Sequence, residues 1–307
     1  APKNASFTLK MPANLDEAGR IAWYEKLANR LVAEQYKVMK AVIPIHKLLH
    51  YDPDQHTGQI EVATTPFYHP ILPLVHNTDL MAAGQPFDPK PSPAFSFASD
   101  AAAQVKRAVQ YMEATMGFKP RGMWPGEGSV SEDVVKHFVD AGVLWVATDQ
   151  QVMEKSGLYG GGAPVGPFQV DVDTKKPGEG GDGTGRLGVF FRNTNMSNDI
   201  GFKYQGLTGK EATDDLVTNV MAQAPKFGAP DRVVTLILDG ENAWETFAKE
   251  HDGKGFFHEL YQRLEQLQQA GEIISVTGSE YILGNPKRNV PAHPLEGLPQ
   301  LEPLFPA

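Results

Sequence analysis

The 307-residue chain contains no cysteine. No disulfide can staple it, and no thiolate can attack a substrate or hold a metal. Long apolar runs are missing too, and none approaches the roughly 20 residues of a membrane span. Positive charge is scarce, with Lys+Arg 28 against Asp+Glu 37 and a formal net charge of −9. Without a basic run to neutralise phosphates, nucleic acid is a poor partner. The sequence holds no phosphate loop, dinucleotide fingerprint or serine-nucleophile elbow, and Gly160-Gly161-Gly162 lacks the strand-to-helix context for phosphate. His46 and His50 are separated by Lys47-Leu48-Leu49, with no glutamate where a zincin would have one, so they read as ordinary helix-end histidines. No metal and no cofactor is expected. The start, Ala1-Pro2-Lys3-Asn4-Ala5, has no apolar leader core. A cytoplasmic location is the expectation, with secretion or a periplasmic site left open. Nothing in the sequence speaks to oligomeric state.

What is present is ample apolar content, 41%, enough for the core of one large α/β domain. Leu15 to about Leu49 has apolar residues at spacings of three and four, which predicts a helix broken or kinked at Pro44. Candidate strands follow at Ile60–Thr64, Gly122–Pro125, Leu144–Thr148, Val189–Arg192, Val233–Leu238 and Ile273–Thr277. Helical stretches lie between them at Asp100–Met116, Glu132–Ala141, Ala212–Gln223 and Phe256–Ala270. This alternation predicts parallel strands with right-handed crossovers. Polar residues mark the strands: Glu61 within the first, Glu127 just after the second, then Asp149, Arg192 with Asn193, and Asp239. In a (β/α) barrel the catalytic groups gather at the C-terminal strand ends, so the pattern favours a barrel over an open sheet. Pro177–Gly188 reads as a glycine-rich loop. Residues 286–307 read as a proline-rich tail.

Two stretches carry acids that surface solvation explains poorly. The mostly apolar run Val233–Leu238 ends in Asp239-Gly240-Glu241-Asn242-Ala243-Trp244. A buried strand that delivers side chains into a pocket has this form, although a helix N-cap would also account for Asp239. In Gly122-Met123-Trp124-Pro125-Gly126-Glu127-Gly128, glycines flank an acid, which lets the backbone aim it into a cleft. A capping role before the next helix is the competing account of Glu127. Together Glu127 and Asp239 supply what glycoside cleavage needs: one carboxylate attacks or stabilises the anomeric carbon, and the other protonates the leaving oxygen. Trp124 and Trp244 stand beside them and suit sugar rings. A third stretch, Gly58–Leu74, offers Glu61 and His69 as partners for sugar hydroxyls, although spacing alone favours a structural role for His69.

The segments GQIEVATTPFYHPILPL, GMWPGEGSVSE, LWVATD, FFRNTNMSNDIGFKY and LILDGENAWE, in this order and spacing, resemble glycoside hydrolase family 57, most closely its amylopullulanase-type branch. The resemblance runs from about Leu15 to Leu283. It implies an incomplete (β/α)7 barrel, TIM-barrel-like, that acts on α-glucans with retention, at α-1,4 or α-1,6 linkages. It implies Glu127 as nucleophile and Asp239 as general acid/base. Glu61, His69, Trp124, Asp149 and Arg192 would line sugar subsites, with Glu241 and Trp244 beside Asp239. The family's His-Gln-Pro-type first-strand motif does not occur here, and six candidate strands are one short of seven. Gln150 follows Asp149 where the family has Glu, and Asn193 follows Arg192 where it has Asp. The expectation is therefore a catalytic barrel over residues 1–285 that lacks its first strand, with the 286–307 tail leading toward an absent C-terminal region. Three alternatives stay open: a 4-α-glucanotransferase or branching enzyme, a non-catalytic carbohydrate-binding barrel, and a polysaccharide deacetylase-like enzyme.

Overall fold

In the computed structural model, the described residues are 11–157, 165–172, 185–225, 231–241, 244–301 and 304. Gly160–Gly162 and most of the expected 177–188 loop lie outside them. The chain divides into two units, Ala1–Leu49 and His50–Ala307. Among its described residues the first holds one helix, α1 (Glu17–Leu49), with Glu17 in its first turn and His46 and Lys47 in its last, each charge suited to the dipole end it occupies. The Asp16 carboxylate accepts from the Gly19 amide at 2.7 Å. Pro44 lies inside the helix, which corrects the expected break. Its fixed φ is already helical, so proline removes one hydrogen bond without ending the run.

The second unit is built on a four-stranded sheet. Its strands are β1 (Gly122–Met123), β2 (Trp145–Asp149), β3 (Phe168–Asp171) and β4 (Arg186–Arg192), in the order β1-β2-β4-β3. The first three in that order run parallel, and β3 is antiparallel to β4. The chain is thus an α/β protein with a mostly parallel sheet, as the alternation predicts. Its helices are α2 (Leu72–His76), α3 (Met81–Gly84), α4 (Ala98–Met116), α5 (Glu132–Asp140), α6 (Gln150–Lys155), α7 (Thr194–Asn198), α8 (Gly209–Met221), α9 (Lys254–Gln269) and α10 (Gly278–Leu283). Thr208 and Glu211 form a capping box at the start of α8, one turn before the expected start. None of the described helices is long and apolar enough to cross a membrane.

Three of the six expected strands form no ladder. Ile60–Thr64 is reduced to single parallel bridges, Ile60 to His50 and Thr64 to Met123. Ile273–Thr277 has no strand partner among the described residues. Val233–Leu238 keeps one bridge, Thr235 to Arg192. For Val233–Leu238 the cause is competition for an edge. The unexpected β3 occupies β4 from Arg186 to Val189, so Val233–Leu238 reaches only the end of β4. Its backbone is satisfied elsewhere: the Thr235 carbonyl accepts from the Asn193 amide at 2.8 Å, and the Ile237 carbonyl accepts from Arg192 Nε at 3.0 Å. The Ile237 amide donates to Ser197 Oγ at 3.2 Å.

Strand side chains alternate between two apolar clusters, as the pleat requires. Val146, Leu187, Val189 and Phe191 face a core with Val105, Val109, Val134 and Phe138 from α4 and α5. Trp145, Ala147 and Phe190 face the other way, toward Tyr281, Ile282 and Leu298. A sheet covered on both faces explains the near-continuous apolar strands. The expected tail is packed too: Leu301 and Leu304 are fully buried in the first core, and Gln300 bridges Gln169 of β3.

The same helical layer holds a histidine pair. His76 Nδ1 and His137 Nε2 meet at 3.1 Å, so one donates and the other accepts. Burial first, then the neighbouring His76, holds the His137 imidazole below its usual range. Lys136 adds slightly to this and Asp140 opposes it. An unfolded histidine takes up a proton near pH 6.5, while the folded one resists. The neutral form thus contributes stability above about pH 6.5 that is lost as pH falls through the depressed folded value. The urea midpoint should therefore drop between about pH 7 and pH 5, with a shallower drop in His137→Gln. Equal slopes in the two proteins would refute this.

Candidate active site

The site sits on the sheet face opposite α4 and α5. The segment after β1 turns sharply at Gly126–Gly128, and Glu127 takes φ 55 and ψ 22, a left-handed backbone. The neighbouring glycines make this turn possible. A Cβ on Gly126 would run into the Pro70 carbonyl, and Gly128 itself has φ +70 under the Trp124 ring. The turn is pinned at both ends: Trp124 donates its amide to the Thr64 carbonyl at 2.8 Å, and the buried Thr148 hydroxyl of β2 donates to the Gly128 carbonyl at 2.5 Å. The left-handed backbone points the Glu127 side chain outward, where it is 75% exposed.

His69 meets Glu127 there, Nε2 to Oε1 at 3.0 Å. The other ring nitrogen, Nδ1, lies 2.9 Å from Thr65 Oγ1. If Nε2 donates to the carboxylate, Nδ1 is left as the acceptor for the threonine hydroxyl, so Thr65–His69–Glu127 forms a directed relay. The His69 ring thus holds one Glu127 carboxylate oxygen on its side of the turn.

Glu127 lines a cleft of about 1130 Å³ together with His69, Trp124, Asp239 and Glu241. Asp239 reaches it from the end of the Val233–Leu238 segment, and both acids at that end are exposed. Two acids separated by more than a hundred residues in the chain thus open on one space. A cleft of this size suits a ligand larger than one sugar ring.

Four of the expected site residues lie outside the cleft lining. The Glu61 carboxylate accepts from Trp145 Nε1 at 3.1 Å, from the Ser279 amide at 2.9 Å and from the Ser279 hydroxyl. It thus ties β2 to the first turn of α10. Asp149 caps α6 by accepting from the Gln151 amide at 3.0 Å, and it also accepts from Thr194 Oγ1 at 3.1 Å. Arg192 donates to Asn198 Oδ1 at 2.8 Å as well as to the Ile237 carbonyl, so it braces the segment that carries Asp239. The Trp244 ring packs on Phe247 and Phe257, with centroids 5.5 and 5.1 Å away. Asn242 and Ala243 of the same motif lie outside the described residues.

Sequence reasoning missed other members. Trp145 lines the cleft floor with its N–H held by Glu61. Tyr281 lines the far wall, stacked on His293 at 4.0 Å with an interplanar angle of 2°, and burial first, then Asp231, pushes its phenol up. Trp145 opens an already noted strand and could have been flagged as an aromatic at a strand start. Tyr281 had no signal, because it lies on a short helix beyond the last expected strand. Among the described residues no three His, Asp or Glu are grouped to hold a metal ion.

Comparison with known proteins gives a consistent picture. The family model Glycosyl hydrolase family 57 matches residues 13–293. Alpha-amylase 1 of Dictyoglomus thermophilum is 28% identical over 101 residues, 33% of this chain and 12% of that protein. The GH57-type branching enzyme of Pyrococcus horikoshii has a similar fold, with TM-score 0.58 and 14% identity over 95% of this chain and 55% of that one. The 4-alpha-glucanotransferase of Thermococcus litoralis aligns with TM-score 0.55 and 19% identity over 83% of this chain and 32% of that one. The chain therefore spans about half or less of each relative's length.

Proposed function

The chain belongs to glycosyl hydrolase family 57, and from that premise we propose that it is a glycoside hydrolase or transglycosylase that acts on α-glucans with retention. The observation that carries the proposal is the convergence of Glu127, Asp239 and His69 on one cleft. Glu127, oriented by the His69 hydrogen bond, attacks the anomeric carbon, and the bond to the leaving oxygen breaks as Asp239 protonates it. Asp239, now a carboxylate, takes a proton from the incoming hydroxyl, which displaces Glu127 from the anomeric carbon. Two inversions give net retention. Trp124 and Trp145 offer ring faces along the cleft, and Glu241 a hydrogen-bond acceptor for sugar hydroxyls. The incomplete (β/α)7 barrel and the amylopullulanase-type specificity belong to the same proposal.

Water as acceptor gives hydrolysis, and a sugar hydroxyl gives transfer. The names carried by the similar proteins above fall on both sides, an amylase against a glucanotransferase and a branching enzyme. The test is to incubate the 307-residue chain with maltooligosaccharides, amylose and pullulan and to follow the anomeric protons by NMR. New α-configured products at the earliest times are expected. Initial β-products would overturn retention, and no product from any glucan would overturn the reading as a whole.

A further inference from the structure

Outside the cleft, one surface patch is more ordered than an exposed patch needs to be. Gln104, Arg107 and Tyr111 of α4 are spaced three and four apart and so lie along one face of that helix. The turn at Phe67 and Tyr68 docks on this face through two hydrogen bonds. The Phe67 amide donates to the Gln104 carbonyl at 3.2 Å, and the Tyr68 amide donates to Gln104 Oε1 at 2.9 Å. Phe67 is partly buried against the first core and serves as the base. Tyr68 and Tyr111 stand edge-on to it, with centroids 4.8 and 5.5 Å away. The Arg107 guanidinium lies 4.3 Å from the centre of the Phe67 ring and 5.5 Å from that of Tyr68.

Tyr68 is nonetheless 68% exposed and Tyr111 58% exposed. Isolated surface aromatics need no explanation. Two phenols and a guanidinium held together on one anchored base form a different object. Ring faces stack on the CH faces of pyranoses, and phenol and guanidinium groups bond their hydroxyls. Because packing already fixes the rings, little side-chain entropy is lost when a ligand lands on them.

The location selects the ligand. Tyr68 directly precedes His69, whose ring touches Glu127, and consecutive Cα atoms are about 3.8 Å apart. The patch thus begins one residue from His69, which lines the cleft beside the proposed nucleophile. We propose that Tyr68, Tyr111 and Arg107 form an auxiliary platform that holds a glucan chain outside the cleft. The platform serves long chains, because a short oligosaccharide that fills the cleft does not reach it. This rests on the α-glucan reading.

The test compares amylose with maltotriose for the 307-residue chain and its Tyr68→Ala/Tyr111→Ala variant, with thermal midpoints recorded for both. The amylose KM should rise about tenfold in the variant, the size of one lost stacking contact or two partial ones. Maltotriose kcat/KM should stay within about twofold, since no cleft contact is removed. The Tyr68→Phe/Tyr111→Phe variant should recover most of the amylose affinity, because it keeps the rings. Tyr111→Ala alone, far in the chain from His69, should show part of the same selective rise. Amylose kinetics unchanged in an active variant would overturn the platform and leave the catalytic reading standing. A parallel loss on both substrates would also overturn it, by showing a disturbed cleft. A native chain that turns over neither substrate would bring down both readings.

Discussion

Replacing Glu127 with alanine should lower kcat on maltooligosaccharides by roughly 10⁴–10⁶-fold, the scale on which covalent enzymes lose turnover when the nucleophile or a catalytic partner of it is removed. At about 1.36 kcal/mol per decade, that is roughly 5–8 kcal/mol of transition-state stabilisation. The fold should survive. Glu127 is 75% exposed, and its left-handed backbone is held by the Thr148 and Trp124 hydrogen bonds rather than by its own side chain. Alanine at φ 55 adds a modest strain, so a far-UV spectrum close to native is expected. Small anions supply the decisive readout. With the carboxylate gone, azide can enter from the vacated face, and with an activated α-glycosyl fluoride it should yield a β-glycosyl azide. Near-native turnover in the variant would remove Glu127 from the chemistry altogether.

His69 gives the assignment a graded companion. In the proposed mechanism its ring orients Glu127 and takes no part in bond cleavage, so the kcat loss in His69→Ala should be far smaller than that in Glu127→Ala. That ordering separates a nucleophile from its positioning partner.

How far the sequence foretold this arrangement depends on the range of each interaction. The Glu127 turn was legible because its cause is local: two glycines and a tryptophan within a few residues dictate the backbone and point the acid outward. The helices α4, α5, α8 and α9 were legible for the same reason, through apolar spacing of three and four. Where the deciding partner lies far along the chain, the reading slipped. Val233–Leu238 has strand character, but whether it pairs depends on what else occupies the edge of β4, and β3 had already taken most of it. Glu61 was read as a partner for sugar hydroxyls, and its carboxylate also accepts from Ser279, 218 residues away. No local pattern encodes that contact. Asp149 and Arg192 show the middle case: their place at strand ends was read correctly, but Arg192 spends its guanidinium on the backbone of the Asp239 segment.

That brace bears on the second large effect. Asp239→Asn should lose about 10²–10⁴-fold in turnover on natural glucans, the usual contribution of a positioned proton donor. The loss should depend on the leaving group in a way that the Glu127 loss does not. A sugar alcohol needs protonation as it departs. Fluoride needs very little, so glycosylation of the enzyme by an α-maltosyl fluoride should be nearly as fast in Asp239→Asn as in the native chain. The second half-reaction still lacks its base, so the glycosyl-enzyme accumulates and gives a burst. Azide needs no base to attack, and it meets an anomeric carbon still bonded to Glu127, so the product should be an α-glycosyl azide, opposite in configuration to the product of the Glu127 variant. An equal loss on glucans and fluorides, with no burst, would reassign Asp239 to binding. Arg192→Met would report on the same machinery from a distance. It removes the donor to the Ile237 carbonyl two residues before Asp239, and so should lower glucan turnover while preserving the native leaving-group dependence, because the acid is displaced rather than deleted.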